Sequence, residues 1–190
     1  MRVIAGRAGG VRLVSPKAGV RPTMDRVKAA IFSSLGEMVI GARVLDLFAG
    51  TGALGIEALS RGADSAVFVE EDRQSIAAIE KNLAKTGFKE RIRQQDVFSF
   101  LKNAGPEQFR IVFADPPYET MKSAERFTEK LLDNEHLPNL VESNGIFVLE
   151  KPPSEKIPEI KLWELVRQRQ YGATEVLFLS AIRSRVSAIE

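Results

Sequence analysis

Four consecutive residues, Asp115-Pro116-Pro117-Tyr118, form the most chemically informative segment of the sequence. They follow an apolar run at 109–114 that is typical of a buried strand. Two successive prolines fix the backbone and remove two N–H donors, which leaves the Pro116 carbonyl able to accept a hydrogen bond. A carboxylate and a carbonyl placed together can accept both hydrogens of a planar amino group. The segment therefore predicts attack by the amino nitrogen of a nucleic-acid base, with Tyr118 stacking on the extruded base.

A second informative segment, residues 46–55, joins an apolar strand to a helix through several glycines, which allow a tight turn and close approach to a ligand. Residues 50–55 also match the G-x-G-x-x-G pattern of dinucleotide sites, where the loop binds a pyrophosphate. Asp46 would repel a phosphate here and suits a ligand that carries an ammonium and a sulfonium. The loop therefore favours S-adenosylmethionine over NAD, although Asp46 has the alternative role of accepting hydrogen bonds from loop amides.

Two further acids follow the next strands and are predicted to contact the same ligand. Glu70 ends a strand at 65–70, where an acid accepts hydrogen bonds from ribose hydroxyls in both cofactor classes. Asp96 ends a strand at 91–96 and can accept from an adenine amino group, with Val97 beside the ring. Capping of the next helix explains Asp96 equally well. The cofactor contacts predicted within the first loop are Asp46, Phe48, Gly50, Thr51 and Gly52.

The elements that must position these residues alternate between strand and helix from residue 43 onward. This alternation predicts an α/β fold with a mostly parallel sheet and helices on both faces. A terminal hairpin around Gly172 adds one antiparallel strand. The predicted strands are 43–48, 65–70, 91–96, 109–115, 145–151, 161–170 and 174–182, and the predicted helices between them are 53–62, 72–85, 97–103 and 121–133.

Before this core, the segments 2–5 and 11–14 predict a β-hairpin with a glycine-bearing turn. A linker and a helix that begins near Met24 follow, and Gly36 is the predicted stop of that helix. We expect one domain over 1–190. Its parts would be an N-terminal hairpin appendage with its linker at 1–20 and a catalytic core at 21–190.

Basic residues are concentrated at the start of the chain. The first 30 residues contain seven Lys or Arg and one acid, although the net charge of all 190 residues is only +2. A basic arm on a near-neutral body indicates a polyanionic partner, with a solvated extension as the alternative. The residues of this arm that are predicted to contact nucleic acid are Arg7, Arg12, Arg21 and Arg26.

The absence of cysteine and the single histidine, His136, restrict the possible chemistry. Without cysteine there is no disulfide, no thiolate nucleophile and no thiolate metal ligand, and one histidine argues against a His relay or a metal cluster. We therefore expect catalysis by proximity, without a metal. No apolar run is long enough to span a membrane and the N-terminus lacks a secretory signal, so we expect a cytoplasmic protein with no membrane partner.

The motifs together resemble those of one enzyme family. DLFAGTGALG, VEED, QQD and DPPY occur in the order found in class I methyltransferases of the N6-adenine/N2-guanine amino type. With RVIAG near the start, RPTMDRVKAAIF at 21–32 and RQYGATEVLFL at 169–179, nearly the whole chain resembles the RsmD family.

The resemblance implies a seven-stranded, Rossmann-like sheet and an N-terminal hairpin that contacts RNA. It implies methylation of guanine N2 in 16S rRNA, in a partly or fully assembled 30S subunit. It also implies that Arg21, Pro22 and Thr23 lie over the active site, with Arg21 and Thr23 near the donor or the target. The C-terminal Gly172, Thr174 and Glu175 match a family motif. We expect the protein to be a monomer.

Three other functions are consistent with parts of the sequence. An adenine-N6 methyltransferase of DNA or RNA shares the DPPY segment, but 190 residues leave little room for a domain that recognises a DNA sequence. A noncatalytic RNA-binding assembly protein could retain the fold, although it would not need an intact glycine loop and DPPY. An NAD-dependent oxidoreductase is disfavoured by Asp46 and by the lack of a catalytic Lys, His or Ser-Tyr-Lys pattern.

Overall fold

The computed structural model describes residues 1–15, 25–117 and 127–183. The α-helices are α1 (Asp25–Leu35), α2 (Ala53–Ser60), α3 (Arg73–Thr86), α4 (Val97–Asn103), α5 (Phe127–Leu132) and α6 (Leu137–Leu140), with a 3-10 helix at Gly36–Val39. The strands are β1 (Arg43–Leu47), β2 (Ser65–Glu70), β3 (Arg91–Gln94), β4 (Phe109–Ala114), β5 (Val141–Lys151), β6 (Trp163–Tyr171) and β7 (Thr174–Ala181). None of the described helices has the length and apolar composition needed to cross a membrane.

Within the described residues, the seven strands form one sheet in the order β3-β2-β1-β4-β5-β7-β6. Neighbours from β3 to β5 are parallel, whereas β7 is antiparallel to both β5 and β6. This arrangement confirms the predicted mostly parallel sheet with one antiparallel C-terminal strand. The strand order reverses at β1, with β2 on one side and β4 on the other, and such a reversal opens a crevice at the carboxyl ends of the strands.

The central strands are buried because helices cover both faces of the sheet, as predicted. Successive side chains of β1 point to opposite faces. Val44 therefore packs in a core cluster with helices α1, α2 and α3, while Leu45 packs in a second cluster with α4, α5 and α6. The two clusters hold the sheet rigidly, so the loops at its carboxyl edge have a fixed base.

The segment between β4 and β5 departs from the expected elements. The first part of the helix predicted at 121–133 lies outside the described residues, and α5 covers the rest to Leu132. No element is predicted between the helix at 121–133 and the strand at 145–151, but the one-turn helix α6 forms there, with Pro138 near its start and Leu137 and Leu140 buried. Proline suits the first turn of a helix, and the buried leucines supply the tertiary contacts that stabilise so short an element. The strand predicted at 145–151 begins earlier, at Val141.

Residues 1–15 pack on the helical layer, and little regular strand forms there. The strands predicted at 2–5 and 11–14 are reduced to a single antiparallel bridge between Arg2 and Arg12. The turn is present, since the Val3 amide donates to the Val11 carbonyl and the Gly10 amide donates to the Val3 carbonyl. Val3 is fully buried in the core, so this segment is attached to the domain by packing as well as by the chain.

The side chain of Glu57 in α2 fixes this segment. Its fully buried carboxylate accepts hydrogen bonds from the amides of Ile4 at 2.7 Å and Ala5 at 3.1 Å. The carboxylate also lies 3.1 Å from the buried Lys28 ammonium of α1, which donates to the Arg2 carbonyl at 2.6 Å. Burial lowers the pKa of Lys28, and the charge of Glu57 opposes that change. A buried ion pair thus replaces the strand ladder that the sequence predicts.

Replacing Glu57 with Gln would leave Lys28 buried without its counter-charge. Removal of one partner from a buried pair costs about 3–5 kcal/mol, so we expect the free energy of unfolding in urea to fall by that order. The control is Glu107→Gln, because Glu107 pairs with Arg43 and Arg91 at the surface. Surface pairs contribute about 1 kcal/mol or less. Equal losses in the two variants would contradict the role assigned to Glu57.

Candidate active site

The structure brings the glycine loop and the Asp-Pro-Pro segment together at the carboxyl ends of two central strands. Leu47, the last residue of β1, lies beside Ala114, the last residue of β4, in parallel register. The loops that follow these two strands are therefore neighbours. Asp115 is half-buried, Pro116 is buried and Pro117 is exposed. Tyr118, the fourth residue predicted to be catalytic, lies outside the described residues.

Asp46 is almost fully buried near the end of β1, with 2% of its surface exposed. Its Oδ2 accepts a hydrogen bond from the Gly55 amide in the first turn of α2, at 2.9 Å. Burial raises the pKa of Asp46 to about 8, the Gly55 hydrogen bond opposes the rise, and the charges of Asp115 and Glu70 add to it. The Gly55 hydrogen bond confirms the alternative role of Asp46, which is to accept from an amide of the segment 46–55. A cationic ligand beside this carboxyl would favour its ionised form.

Gly55 allows helix α2 to lie directly against the strands. A Cβ atom at this position would lie 2.4 Å from the Phe68 ring and 3.1 Å from the Asp46 carboxylate. Gly52 precedes the helix with φ +75°, a left-handed conformation that favours glycine. In this chain Gly52 allows the tight turn before the helix, and Gly55 allows the helix to pack closely on the strands.

Glu70 holds the glycine loop from the side of β2. Its Oε2 accepts from the Gly50 amide at 2.7 Å, and its Oε1 accepts from the amides of Glu71 and Asp72 at 3.0 and 2.9 Å. The Glu70 carboxylate thus occupies the loop amide of Gly50, which a dinucleotide site would direct at a pyrophosphate. Within the described parts of the chain, no group of three or more His, Asp or Glu side chains is arranged to hold a metal ion.

Asn82 of α3 is a contact of the glycine loop that the sequence patterns do not identify. Its fully buried amide group donates to the carbonyls of Thr51 at 2.9 Å and Val14 at 3.0 Å, and its Oδ1 accepts from the Val14 amide at 2.7 Å. One side chain therefore joins the loop to the N-terminal segment. The available signal was a polar residue on the apolar face of an amphipathic helix.

Asp96 and Val97 lie at the start of α4. Asp96 Oδ1 accepts from the Ser99 amide at 2.7 Å, which confirms its role as a helix cap. Val97 is buried beneath the same turn, with 3% of its surface exposed. Their contacts with an adenine ring stay predictions.

An aromatic cluster borders the glycine loop. Phe48 has φ +54°, which is unusual for a non-glycine residue and places its ring 5.4 Å from that of Phe127. Phe98 stacks on Phe127 with centroids 6.2 Å apart, and the Lys130 ammonium lies 5.6 Å from the Phe98 centroid. Phe98 and Phe127 are not predicted from the sequence because they are far from the loop along the chain. The cluster provides a half-buried apolar surface beside the crevice.

The structure describes three of the four arginines that are predicted to bind nucleic acid. Arg7, Arg12 and Arg26 are exposed. The Arg7 guanidinium lies 4.6 Å from the centroid of the Phe88 ring, which orients it on the surface. Arg21 and Thr23 lie outside the described residues. The contacts of all five side chains with RNA or cofactor stay predictions.

The strand order, together with a glycine loop and an Asp-Pro-Pro segment at the carboxyl edge, defines a class I methyltransferase fold. The chain belongs to the RsmD family, whose family model, described as "Conserved hypothetical protein 95", matches residues 1–180. This match confirms the family that the motifs predict.

Relatives and solved structures agree with this assignment. The Escherichia coli (strain K12) protein named Ribosomal RNA small subunit methyltransferase D is 37% identical over 182 residues, covering 90% of this chain and 85% of the relative. The structure of a hypothetical protein from Thermus thermophilus, TTHA0928, is 33% identical with a TM-score of 0.79, covering 95% and 99% of the two chains. The structure of SMU.776 complexed with SAH shares the fold at 16% identity, with a TM-score of 0.69 and coverage of 85% and 51%.

The raised pKa of Asp46 predicts a specific pH dependence of stability. Folding raises this pKa from its usual 3.8 to about 8, so between these values the folded protein retains a proton that the unfolded chain has released. The stability of the wild type should therefore fall as the pH rises from 5 to 7, by about 1.4 kcal/mol per pH unit relative to Asp46→Asn. Asn keeps an oxygen for the Gly55 amide and cannot ionise. Urea denaturation of the ligand-free proteins measures this difference, and parallel pH profiles would contradict the raised pKa.

Proposed function

We propose that this protein transfers a methyl group from S-adenosylmethionine to the exocyclic N2 amino group of a guanine in 16S rRNA. The observation that carries the proposal is the position of the buried Asp46 and the Asp115-Pro116 segment on neighbouring strands at one crevice. The name of the Escherichia coli relative supports the small-subunit rRNA as the substrate class. We expect the target base to be flipped out of its stack and the substrate to be a partly or fully assembled 30S subunit.

The residues of the crevice fit S-adenosylmethionine better than a dinucleotide. Glu70 and Asp115 give the crevice negative charge that suits an ammonium and a sulfonium. Burial raises the pKa of Asp46, and a cation bound beside this carboxyl would favour its ionised form. When bound, this cofactor would supply an electrophilic methyl group by direct in-line transfer, in which the S–CH3 bond breaks, the N–CH3 bond forms, S-adenosylhomocysteine leaves and the amino nitrogen loses one proton to solvent. Glu70 would accept from the ribose hydroxyls and Asp96 from the adenine amino group, with Val97 against the ring. The further cofactor contacts in this proposal are Phe48, Gly50, Thr51, Gly52 and Thr23.

The Asp115-Pro116 segment would bind the methyl acceptor. Asp115 carries a carboxylate and Pro116 a backbone carbonyl, and each would accept one hydrogen of the base amino group. These hydrogen bonds draw the nitrogen lone pair out of the aromatic ring and hold the nitrogen in place, and Pro117 keeps the backbone rigid. Tyr118 would stack on the base. Such positioning supplies most of the rate enhancement without a covalent intermediate.

The N-terminal segment would contribute the electrostatic part of RNA binding. Its backbone is anchored by Glu57, so the exposed Arg7 and Arg12 are presented from a fixed surface. Arg21 and Arg26 continue the basic series along the chain. Lysine and arginine contacts to phosphates increase affinity without selecting a sequence, so we expect the choice of guanine to arise elsewhere.

Removal of the Asp115 carboxylate should impair catalysis without preventing cofactor binding. A positioned hydrogen-bond partner of the reacting group contributes roughly 2 kcal/mol or more, so we expect Asp115→Ala to lower kcat/KM at least about tenfold. Tritium transfer to small subunits from a strain that lacks this protein measures the rate, and calorimetry measures cofactor affinity. Asp64→Ala is the control, because Asp64 is an exposed acid at the amino end of β2, opposite to the carboxyl end that carries Glu70. Activity within tenfold of wild type would argue against the acceptor role.

Nucleoside mass spectrometry of the product identifies the acceptor atom. N2-methylguanosine in the small-subunit rRNA would support the proposal, whereas N6-methyladenosine would replace it with the adenine-N6 alternative. Binding of NAD in place of S-adenosylmethionine in the calorimeter would exclude both methyltransferase functions.

Neutralising the basic segment should weaken RNA binding in a salt-dependent manner. Each lost phosphate contact lowers the slope of log K against log salt by about 0.7–0.9, so the double variant Arg7→Gln, Arg12→Gln should reduce the slope by up to about 1.8. The control is Lys161→Gln, which removes an exposed lysine far from this segment in sequence. Filter-binding titrations with 16S rRNA at several salt concentrations provide the measurement. An unchanged slope would exclude this segment as an RNA contact.

A further inference from the structure

A cleft of about 530 Å³ lies beside the Asp-Pro-Pro segment. Its lining includes Pro116, Pro117 and Phe127, together with Lys156 and Pro158 from the loop after β5. The volume falls within the range of roughly 300–1,000 Å³ that is typical of small-molecule pockets. The apolar rings match the flat base of a nucleotide, and the exposed Lys156 ammonium matches its phosphate. The lining also contains Glu129 and Glu155, whose carboxylates suit the amino groups of a base and would repel a phosphate placed beside them.

The loop at 152–158 forms one wall of this cleft and contains no helix or strand. Its backbone is held by Lys151, the last residue of β5, which is only 1% exposed. The Lys151 ammonium donates to the carbonyl of Pro152 at 2.9 Å and to that of Glu155 at 2.5 Å. Two of its three donors are therefore used to fix the course of the loop.

Glu175 of β7 is the ionic partner of Lys151. The two residues lie opposite each other in the antiparallel ladder, and Glu175 Oε2 is 2.7 Å from the Lys151 ammonium. Burial opposes ionisation of Glu175, but hydrogen bonds from Lys151 and Gln168 hold its pKa below the usual value. The ionised carboxylate sets the direction of the ammonium toward the loop carbonyls. Glu175 belongs to a C-terminal motif for which sequence reasoning gives no physical role.

A second contact fixes the same loop from α5. The buried Thr128 donates its hydroxyl hydrogen to Glu155 Oε2 at 2.8 Å. Its neighbour Phe127 lines the cleft. The irregular loop is thus attached to a strand below and to a helix beside it, as expected for a wall that must keep its shape.

We propose that Lys151 and Glu175 are positioning residues that hold the loop at 152–158 as a wall of the acceptor cleft and so place the target nucleotide against Pro116. The identification of the occupant as a nucleotide rests on the proposed methyl transfer. The loop and its ion pair lie on the β5 and β7 side of the sheet, whereas Asp46 and Glu70 lie on β1 and β2. Loss of the pair should therefore affect the acceptor and spare the cofactor.

The test compares Lys151→Met, Glu175→Gln and the double variant that carries both substitutions. Each single change leaves a buried charge without a partner and can reduce stability for that reason alone. The double variant removes both charges, which restores a neutral interior but leaves the carbonyls of Pro152 and Glu155 without their donor. Thermal unfolding shows which variants are folded at the assay temperature. Glu107→Gln, which breaks a surface ion pair before β4, is the control.

Two measurements separate a positioning role from a merely structural one. Trypsin cleavage after the exposed Lys156 reports the opening of the loop, because cleavage requires local unfolding. Steady-state kinetics on small subunits, with calorimetry for S-adenosylmethionine, separates the acceptor from the cofactor. In the folded double variant we expect faster cleavage after Lys156, a kcat/KM for the RNA lowered roughly 10- to 100-fold, and a cofactor Kd within about twofold of wild type.

A folded double variant with wild-type kcat/KM would overturn the proposal. The proposal would also fail if trypsin cleaved the double variant after Lys156 no faster than it cleaves the wild type and Glu107→Gln. A comparable loss of affinity for S-adenosylmethionine in the double variant would also overturn the proposal. The Lys151–Glu175 pair would then stabilise the whole domain and not the acceptor cleft alone. Failure of the proposed function gives a different result, since the wild type would then not methylate the small subunit. In that event the trypsin measurement still tests whether Lys151 holds the loop.

Discussion

The hydrogen bond between the Gly55 amide and the buried Asp46 carboxylate joins the first strand of the sheet to the helix that follows the glycine loop. It requires position 55 to lack a side chain, because a Cβ would collide with the Phe68 ring. The contact fixes both ends of the loop, and Glu70 then holds its middle through Gly50. Because β4 pairs directly with the strand that carries Asp46, Asp115 follows the neighbouring strand at the same end of the sheet. The course of the glycine loop on its side of the crevice depends on these two contacts.

Much of the fold could be predicted from the sequence because apolar runs and glycine turns are local signals. The strand predicted at 65–70 matches the structure, the strand predicted at 109–115 ends one residue earlier at Ala114, and the glycine turns mark where helices begin and end. Errors arise where tertiary packing decides the outcome. Helix α6 forms across a polar stretch because Leu137 and Leu140 are buried, and the strands of the N-terminal segment give way to hydrogen bonds with Glu57. Neither helix α6 nor the loss of the N-terminal strands can be predicted from the local sequence, because both depend on contacts with distant residues.

The candidate site divides in the same way. Asp46, Glu70 and Asp115 could be identified because each stands at the end of an apolar strand, where side chains converge on one edge of the sheet. Asn82 and Lys151 could not be identified, since each acts through backbone carbonyls that no sequence pattern marks. Asn82 meets Val14 across 68 residues of sequence, a separation that only the folded chain can specify. The family resemblance supplied the acceptor atom, which the side chains of the crevice alone do not determine.

The two edge strands of the sheet have a consequence for how the molecule meets copies of itself. An open sheet ends in rows of unpaired backbone groups that can recruit a strand from another chain. Here β3 is short and carries Arg91 and Arg93, and β6 carries Arg167 and Arg169, all of them exposed. Addition of a strand would bring like charges together and strip water from guanidinium groups. These arginines act as gatekeepers that counter the exposed Leu165 and Val166 on β6 and disfavour edge-to-edge aggregation.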